Sequence, residues 1–395
     1  MSKKQKTVAV HAGARLMGSK AVPVAPPIYP AAVNWFDSSD DLDVALDGKD
    51  YAYARISAPN ATLLEEAVAA LEGAEACVAY ASGMAALRSV FEAQGFKAGD
   101  RLVMPSDGYG VTRLLYKNLS ATLGVELHAL MMTDARAPER IRELKPRLVL
   151  AESISNPLLR VPDIRALAKA CKEVGAVFVV DATFPSPVGQ RSLELGADYA
   201  VQSTSKWLNG HSDALGGTVS GSQARMAPLR SARVLAGDVL GPFEAWLTLR
   251  GLRTLPVRMK AHAEHAAHVA RRLSDSPLLE RVIYPGLPSH PDHAVARELL
   301  VGGGGPMVAF EIKGAGRPEC MRFLEALQVC KPGPSLGDVA TLVMHAASAS
   351  ARRMTPEERT AAGIQENLIR VSVGLEDPDD LVEDLLGAVE KVVRR

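Results

Sequence analysis

Ser203-Thr204-Ser205-Lys206-Trp207-Leu208-Asn209-Gly210 is the stretch that decides the fold, because it places a lysine directly after hydroxyl side chains. Upstream of it, the apolar run Val177-Phe178-Val179-Val180 ends in Asp181, as a buried strand with a carboxylate at its end would. A lysine can hold an aldehyde cofactor as a Schiff base, hydroxyls can bind the phosphate of that cofactor, and a carboxylate can keep its ring nitrogen protonated. The stretch therefore predicts a pyridoxal 5'-phosphate (PLP) site in which Lys206 carries the cofactor.

The sequence around this stretch predicts an α/β architecture. From about residue 50 to 250, short apolar runs alternate with helical patterns, which is typical of a mostly parallel sheet covered by helices. We predict strands at 148–151, 177–180 and 199–202, with a helix at 163–174. Because ligands of open α/β sheets bind beyond the carboxyl ends of the strands, Asp181 and Lys206 are well placed to share a site.

The length of 395 residues predicts more than one domain. We predict an N-terminal arm over 1–50, extended because it contains a proline-rich segment at 22–30. A large cofactor-binding domain is expected over 51–250 and an α+β C-terminal domain over 251–395. In the C-terminal domain we predict strands at 307–313 and 368–373, and helices at about 260–274, 322–328 and 380–393.

Composition narrows the range of partners and compartments. Lys plus Arg and Asp plus Glu both number 45, so the net charge favours neither nucleic acid nor an anionic membrane as a partner. The cysteines, at positions 77, 171, 320 and 330, lack the spacing of a metal or redox site and are expected to be reduced, as in a cytoplasmic enzyme. Residues 1–6 are basic without an apolar segment after them, so we expect no signal peptide, and no stretch predicts a membrane span.

Further motifs surround the lysine and the aspartate. Tyr80-Ala81-Ser82-Gly83-Met84 places a glycine at the start of a helix, where free backbone N–H groups attract an anion. Tyr51-Ala52-Tyr53-Ala54-Arg55 precedes this segment. Between it and Asp181 lie Asp107-Gly108-Tyr109-Gly110-Val111-Thr112 and Glu152-Ser153-Ile154-Ser155-Asn156-Pro157. Leu368-Ile369-Arg370-Val371-Ser372 puts an arginine inside an apolar strand, which is costly without an anionic partner.

With these motifs in this order, the chain from Val10 to Asp377 resembles the PLP-dependent trans-sulfuration enzymes of cysteine and methionine metabolism. The resemblance implies the fold type I architecture, with a large, mostly parallel, seven-stranded sheet domain and a smaller α+β C-terminal domain. It also implies a homotetramer built from two catalytic dimers.

The resemblance assigns roles to individual residues. The phosphate would be bound by Gly83, Met84, Ser203 and Ser205, and from the neighbouring subunit by Tyr53 and Arg55. Tyr109 would stack on the ring and assist proton transfer. Asn156 would bind the phenolic oxygen of the cofactor, Asp181 would bind the ring nitrogen, and Thr183 would also belong to the cofactor site. Lys206, Tyr109 and Asp181 would be the catalytic residues; the substrate would be bound by Arg370, Ser335, Asn156 and Tyr109.

The substrate stays open, because the departures from the family pattern lie on the expected substrate side. Val111 stands where methionine γ-lyases generally carry cysteine, and Pro334 stands where cystathionine-handling enzymes commonly carry glutamate. Ala351 replaces the final histidine of the family's motif that begins here at His345. Our hypothesis is a γ-elimination or γ-replacement enzyme for a homoserine- or homocysteine-derived amino acid, with a carbon–sulfur lyase releasing 2-oxobutyrate and ammonia placed first. The alternatives are a γ-replacement transferase (cystathionine γ-synthase or O-acyl-homoserine sulfhydrylase), a β-lyase and a non-catalytic PLP-binding protein.

Overall fold

A computed structural model describes residues 4–15 and 22–393. Within these residues, a seven-stranded sheet has the strand order β1-β7-β6-β5-β4-β2-β3. Its strands are β1 (Ala76–Tyr80), β2 (Arg101–Pro105), β3 (Glu126–Leu130), β4 (Leu148–Glu152), β5 (Val177–Asp181), β6 (Tyr199–Gln202) and β7 (Gly217–Gly221). Only β7 runs antiparallel to its neighbours in this sheet of the described chain. The predicted mostly parallel sheet is therefore confirmed, and the strands predicted at 148–151, 177–180 and 199–202 match within one residue.

A second sheet follows in the C-terminal part of the chain. Its strands are β8 (Leu279–Ile283), β9 (Met307–Ile312), β10 (Lys331–Pro332), β11 (Leu342–His345) and β12 (Leu368–Ser372). They are arranged in the order β10-β11-β12-β9-β8, and all pairs except β10 with β11 are antiparallel. The predicted strands at 307–313 and 368–373 are confirmed, each one residue shorter than expected.

Helices cover both sheets. They are α1 (Gln5–His11), α2 (Ser39–Val44), α3 (Pro59–Glu72), α4 (Gly83–Glu92), α5 (Gly110–Leu123), α6 (Ala137–Leu144), α7 (Ile164–Val174), α8 (Ser186–Gly189), α9 (Gln223–Ala236), α10 (Pro242–Leu252), α11 (Leu255–Ser274), α12 (His293–Leu299), α13 (Arg317–Ala326), α14 (Pro356–Ala362) and α15 (Pro378–Val393). A π-helical segment, Ala45–Lys49, continues α2. In the described residues, no helix is long and apolar enough to cross a membrane.

The prediction of an extended N-terminal arm is wrong for part of its length. Residues 22–36 contain no helix, but α1 and α2 are both helical. Helix α1 forms because its Ala9 is buried against α3, and α2 begins at Ser38, whose hydroxyl accepts a hydrogen bond from the Asp41 amide. Residues 1–3 and 16–21 of the predicted arm lie outside the described residues. The first three residues of the basic segment 1–6 are among them.

The observed helix boundaries differ more from the sequence-based expectations than the strand boundaries do. The helix predicted at 322–328 occupies Arg317–Ala326 instead, because Pro318 and the capping pair of Gly316 and Glu319 start it earlier. The helix predicted from about residue 260 begins at Leu255, and the last helix begins at Pro378. The helix predicted at 163–174 is α7, with Asp163 as its N-cap.

The large sheet positions the site because its central strands end together. Strands β4 and β6 are fully buried and apolar up to their last residues, Glu152 and Gln202, as expected for central strands covered on both faces. The carboxyl ends of β1, β2, β4, β5 and β6 lead into the segments that carry Gly83, Tyr109, Asn156, Asp181 and Ser203. Side chains far apart in sequence are therefore delivered to one edge of the sheet.

Candidate active site

A cavity of about 290 Å³ lies at this edge, between the two sheets. All of the predicted cofactor and substrate residues except Tyr53 and Arg55 line it: Gly83, Met84, Tyr109, Asn156, Asp181, Thr183, Ser203, Ser205, Lys206, Ser335 and Arg370. The large sheet supplies the residues up to Lys206, and the C-terminal sheet supplies Ser335, after β10, and Arg370, on β12. The structure thus brings together residues that the sequence only grouped by motif.

Lys206 is fixed by its backbone and by one side-chain contact. Its Nζ donates a hydrogen bond to the Ser335 Oγ at 2.8 Å. Gly337, at φ 84°, packs against the lysine backbone so closely that a Cβ there would lie 2.9 Å from the Lys206 Cα. Burial lowers the pKa of Lys206, and the charge of Arg370 lowers it further. The amine is therefore easier to deprotonate than an exposed lysine, which a nucleophile or base requires.

The N-terminus of α4 forms one end of the cavity. Ser82 is the N-cap of this helix, and its Oγ accepts a hydrogen bond from the Ala85 amide at 3.1 Å. The first N–H groups of a helix lack intrahelical partners, so those of Gly83 and Met84 are available to an anion. The Ser205 hydroxyl lies beside them in the cavity wall and accepts a hydrogen bond from the Gly216 amide at 3.0 Å.

Asp181 also lines the cavity and is the last residue of β5. Its Oδ1 accepts a hydrogen bond from the Thr183 amide at 3.0 Å, while the Thr183 Oγ1 accepts one from the Ser203 amide at 2.9 Å. Burial raises the pKa of Asp181, and the hydrogen bonds from Thr183 oppose that rise. A partly buried carboxylate without an ion-pair partner in the described chain is suited to bind a protonated ring nitrogen.

Tyr109 and Asn156 are held by Glu152, which the resemblance does not assign to the site. The Glu152 Oε1 accepts a hydrogen bond from the Tyr109 amide at 2.6 Å, and its Oε2 accepts one from the Asn156 amide at 3.0 Å. Burial and then the charge of Asp181 raise the pKa of Glu152 well above its usual range, whereas both amide donors favour the carboxylate. The sequence contained a signal for it, since Glu152 follows a buried strand at the same edge as Asp181.

Arg370 spans the two sheets. Its Nη1 donates to the Asn156 Oδ1 and its Nη2 to the Ser335 carbonyl, both at 2.8 Å. The side chain is buried, its Nε has no partner among the described residues, and burial lowers the pKa of Arg370 to about 10. A buried guanidinium in this state is suited to bind an anion such as a substrate carboxylate.

Tyr53 and Arg55 lie elsewhere. The Arg55 guanidinium carbon stands 5.3 Å from the centroid of the Tyr53 ring, and its Nη1 donates to the Val234 carbonyl at 3.1 Å. Tyr53 is 43% exposed. Neither residue lines the cavity of its own chain, so their contribution to a neighbouring subunit's site stays a prediction.

The departures from the family pattern fall in two places. Pro334 lines the cavity, and Val111 lies in the first turn of α5, whose Gly110 packs against the Ser350 carbonyl. Asn60, which stands after Pro59 where the family usually carries threonine, is buried away from the cavity lining, and its side chain bonds to Tyr29 and Pro27 of the arm. The arm is therefore anchored by Asn60, and the substrate side is altered mainly around Pro334 and Val111.

These residues fit PLP. A Cβ on Gly83 would lie 3.0 Å from the Ser203 Cβ and 3.3 Å from its Oγ, so glycine keeps the helix N-terminus open to a phosphate. Asp181 offers a partly buried carboxylate for a pyridinium, and Lys206 offers an amine of lowered pKa for an aldehyde. The phosphate, the ring nitrogen and the aldehyde of the cofactor thus each have a chemically matched partner in one cavity.

Comparison with known proteins supports the same chemistry. The family model described as "Cys/Met metabolism PLP-dependent enzyme" matches residues 6–390. The L-methionine gamma-lyase of Pseudomonas putida is 40% identical over 372 residues, which are 92% of each chain. The O-succinylhomoserine sulfhydrylase of Pseudomonas aeruginosa is 40% identical over 333 residues, covering 84% of this chain and 82% of that protein. The crystal structure of cystathionine gamma synthase from Xanthomonas oryzae pv. oryzae in complex with cystathionine superimposes with a TM-score of 0.93 at 38% identity, covering 99% of each chain.

Proposed function

Because this chain belongs to the family of PLP-dependent enzymes of cysteine and methionine metabolism, we propose that it is a carbon–sulfur lyase of the γ-elimination type. Its substrate is a homocysteine-derived amino acid. The Cγ–S bond breaks, water is consumed, and the products are a thiol, 2-oxobutyrate and ammonia. This proposal draws on the named activity of relatives that match nearly the whole chain.

One observation carries the proposal: Ser335 contacts both Lys206 and Arg370. The Lys206 Nζ bonds to the serine hydroxyl and the Arg370 Nη2 to its carbonyl. A substrate whose α-carboxylate binds Arg370 would thus have its Cα on the side of the cavity that holds the lysine amine. Charge and orientation are set by the same arginine, since a guanidinium binds a carboxylate through two parallel hydrogen bonds.

The cofactor, when bound, supplies an electron sink for negative charge that develops at the substrate's Cα. Lys206 takes the Cα proton at Nζ, for which its lowered pKa suits it. Tyr109 keeps its phenolic proton because burial raises its pKa, and that proton is available to the departing sulfur. Asp181 would bind the ring nitrogen, while Gly83, Met84, Ser203 and Ser205 would bind the phosphate.

Pro334, in the lining of the cavity around Lys206, bears on which thioether substrate the site accepts. Proline has no charged group for a second ammonium, and the exposed Leu215 also lines the cavity. Glu152, the other acidic residue in the lining besides Asp181, is engaged by two backbone amides. A substrate with an uncharged γ-substituent, such as methionine, therefore fits better than cystathionine.

The experiment is product analysis of the PLP-loaded protein with methionine, homocysteine, cystathionine, O-acetylhomoserine and O-succinylhomoserine, each with and without an added thiol. 2-Oxobutyrate from methionine or homocysteine, without dependence on the added thiol, is the expected result. Failure of every thioether and thiol substrate to release a 2-oxo acid would contradict the lyase assignment.

A γ-replacement transferase is the second candidate, because a sulfhydrylase is 40% identical and a cystathionine gamma synthase superimposes with a TM-score of 0.93. Both reactions require the same lysine, arginine and tyrosine. In the same experiment, a transferase would form a new thioether from an O-acylhomoserine and the added thiol.

We also propose that the protein is a cytoplasmic homotetramer in which Tyr53 and Arg55 complete the phosphate site of a neighbouring subunit. In support, both residues lie outside their own cavity, and the four cysteines are all unpaired and buried. Mixing Lys206→Ala protein with Arg55→Ala protein after reversible dissociation should restore activity, since hybrids contain one intact site. No recovery in hybrids shown to have formed would contradict a shared site.

A further inference from the structure

A second polar cavity, of about 310 Å³, lies on the C-terminal part of the chain. Its lining residues are Arg317, Ala347, Ser348, Arg352, Arg359 and Glu366, none of which lines the cavity around Lys206. The volume is near the lower end of the roughly 300–1,000 Å³ found for small-molecule sites. The cavity is therefore suited to a small ligand, and its chemistry is set by its guanidinium groups.

Positive charge in this cavity exceeds negative charge. The Arg359 Nη2 pairs with the Glu366 Oε1 at 2.9 Å, and its Nη1 donates to the Met354 carbonyl at 3.1 Å. In the part of the chain that the structure describes, Arg317 and Arg352 have no ion-pair partner. The Arg359 Nε is buried, and no described residue accepts a hydrogen bond from it. One carboxylate thus faces three guanidinium groups.

Arg317 adds positive charge to the N-terminus of a helix. It is the first residue of the ten-residue helix α13, where the helix dipole is positive and favours negative charge. The only acidic neighbour in that first turn, Glu319, already accepts a hydrogen bond from the Gly316 amide at 2.9 Å. An arginine here adds its charge to that of the dipole instead of opposing it.

His345 contacts two residues of the cavity lining, Ser348 and Glu366. Burial lowers its pKa, the hydrogen bond and charge of Glu366 oppose that fall, and the charges of Arg317 and Arg359 add to it. The His345 Nε2 faces the Glu366 carbonyl at 2.7 Å and so must donate; the Nδ1 of the neutral ring then accepts from the Ser348 hydroxyl at 2.8 Å. Because the Ser348 hydroxyl proton is donated to His345, the side-chain donors available to a ligand in this lining are the guanidinium groups.

We propose that the cavity bounded by Arg317, Arg352 and Arg359 binds the phosphate group of a small molecule, or inorganic phosphate. Phosphate matches the geometry of converging guanidinium groups, and the nearby helix N-terminus adds to the attraction. The site is separate from the cofactor phosphate site at Gly83, because the two cavities share no lining residue.

The test is calorimetric titration of the PLP-loaded, full-length protein in phosphate-free buffer, with inorganic phosphate and with ribose 5-phosphate. Loading with PLP fills the other phosphate site. Arg317→Gln and Arg352→Gln each remove an unpaired guanidinium, whereas Arg353→Gln removes the adjacent exposed arginine, which does not line the cavity. Melting temperatures check that all three variants fold.

We expect saturable one-site binding to the wild type, weakened about tenfold by Arg317→Gln and by Arg352→Gln. Arg353→Gln should bind phosphate within about twofold of the wild type. It removes one solvent-screened charge and no side chain that lines the cavity. Tighter binding of ribose 5-phosphate than of phosphate would assign the site to a phosphate ester; equal binding would assign it to free phosphate. No binding to the wild type, or equal weakening by Arg352→Gln and Arg353→Gln, would overturn the proposal.

Discussion

Arg370 donates a hydrogen bond to the Asn156 Oδ1 at 2.8 Å, which joins a buried strand of the C-terminal sheet to the loop after β4 of the large sheet. The two residues lie 214 positions apart in sequence. Because Asn156 is itself held by Glu152, the guanidinium is oriented from the large sheet as well as from its own strand. The substrate-binding side of the cavity therefore depends on both sheets.

Replacing Arg370 should mainly weaken substrate binding. We expect Arg370→Ala to raise KM for the amino acid about 10- to 100-fold, because charge-assisted hydrogen bonds to the carboxylate are lost. Steady-state kinetics measures this change. Arg281→Ala, which removes an arginine paired with Glu311 in the same sheet, is the matched control and should leave KM unchanged. An unchanged KM in folded Arg370→Ala protein would remove this arginine from the site.

Replacing Lys206 should abolish turnover. Lys206→Ala removes both the attachment point of the cofactor and the proposed base, so kcat should fall by roughly 10³-fold or more. Ser335→Ala removes only the hydrogen-bond partner of the amine. The serine variant should therefore keep the visible absorption of the bound cofactor, whereas the lysine variant should lose it. Full activity of Lys206→Ala is incompatible with the proposed chemistry.

Glu152 is expected to act as a positioning residue. In Glu152→Gln an amide N–H₂ replaces one of the two oxygens that accept from Tyr109 and Asn156, so one backbone donor faces another donor. We expect kcat/KM to fall about 10- to 100-fold, through kcat because Tyr109 shifts and through KM because Asn156 orients Arg370. Glu311→Gln, a buried glutamate of the C-terminal sheet, is the control. Equal kinetics for both variants would show that Glu152 is only structural.

Glu72 should make the stability of the protein depend on pH. Burial raises its pKa from the ordinary 4.5 to about 7, against a hydrogen bond from Gln202 and the charge of Arg191. The folded state then binds a proton more tightly than the unfolded state, so stability falls as pH rises from about 4.5 to about 7. The loss is on the order of 3 kcal/mol.

Glu72→Gln should remove this loss, and its amide supplies a donor for the Gln202 Oε1, which has no partner among the described residues. The check is the melting temperature of both proteins at about pH 5 and pH 8. The wild type should lose more stability than the variant between these values. A parallel decline in the two proteins would mean that Glu72 does not titrate in this range.

Lys206, Asp181 and Arg370 were predictable from sequence because each breaks a local rule: a lysine among hydroxyls, a carboxylate at a buried strand end, and an arginine inside an apolar strand. Glu152 carries the same signal as Asp181, a carboxylate at a buried strand end, but its role rests on the backbone amides of Tyr109 and Asn156, and the sequence does not show that both amides point at it. The arginines around Arg352 were missed for the same reason, because a loop, a helix start and a second helix converge there. Helix α1 was missed because a short segment becomes helical only by packing on α3.

The central claim is that the cavity around Lys206 is the PLP site, and its most direct test is peptide mapping of the holoenzyme. Reduction with borohydride fixes the cofactor to the lysine that holds it, and mass spectrometry of the digested protein locates the modified residue. We predict a single pyridoxyl group on the peptide that contains Ser203, Ser205 and Lys206. A pyridoxyl group on another lysine, or none in protein that retains the cofactor's absorption, would contradict the account.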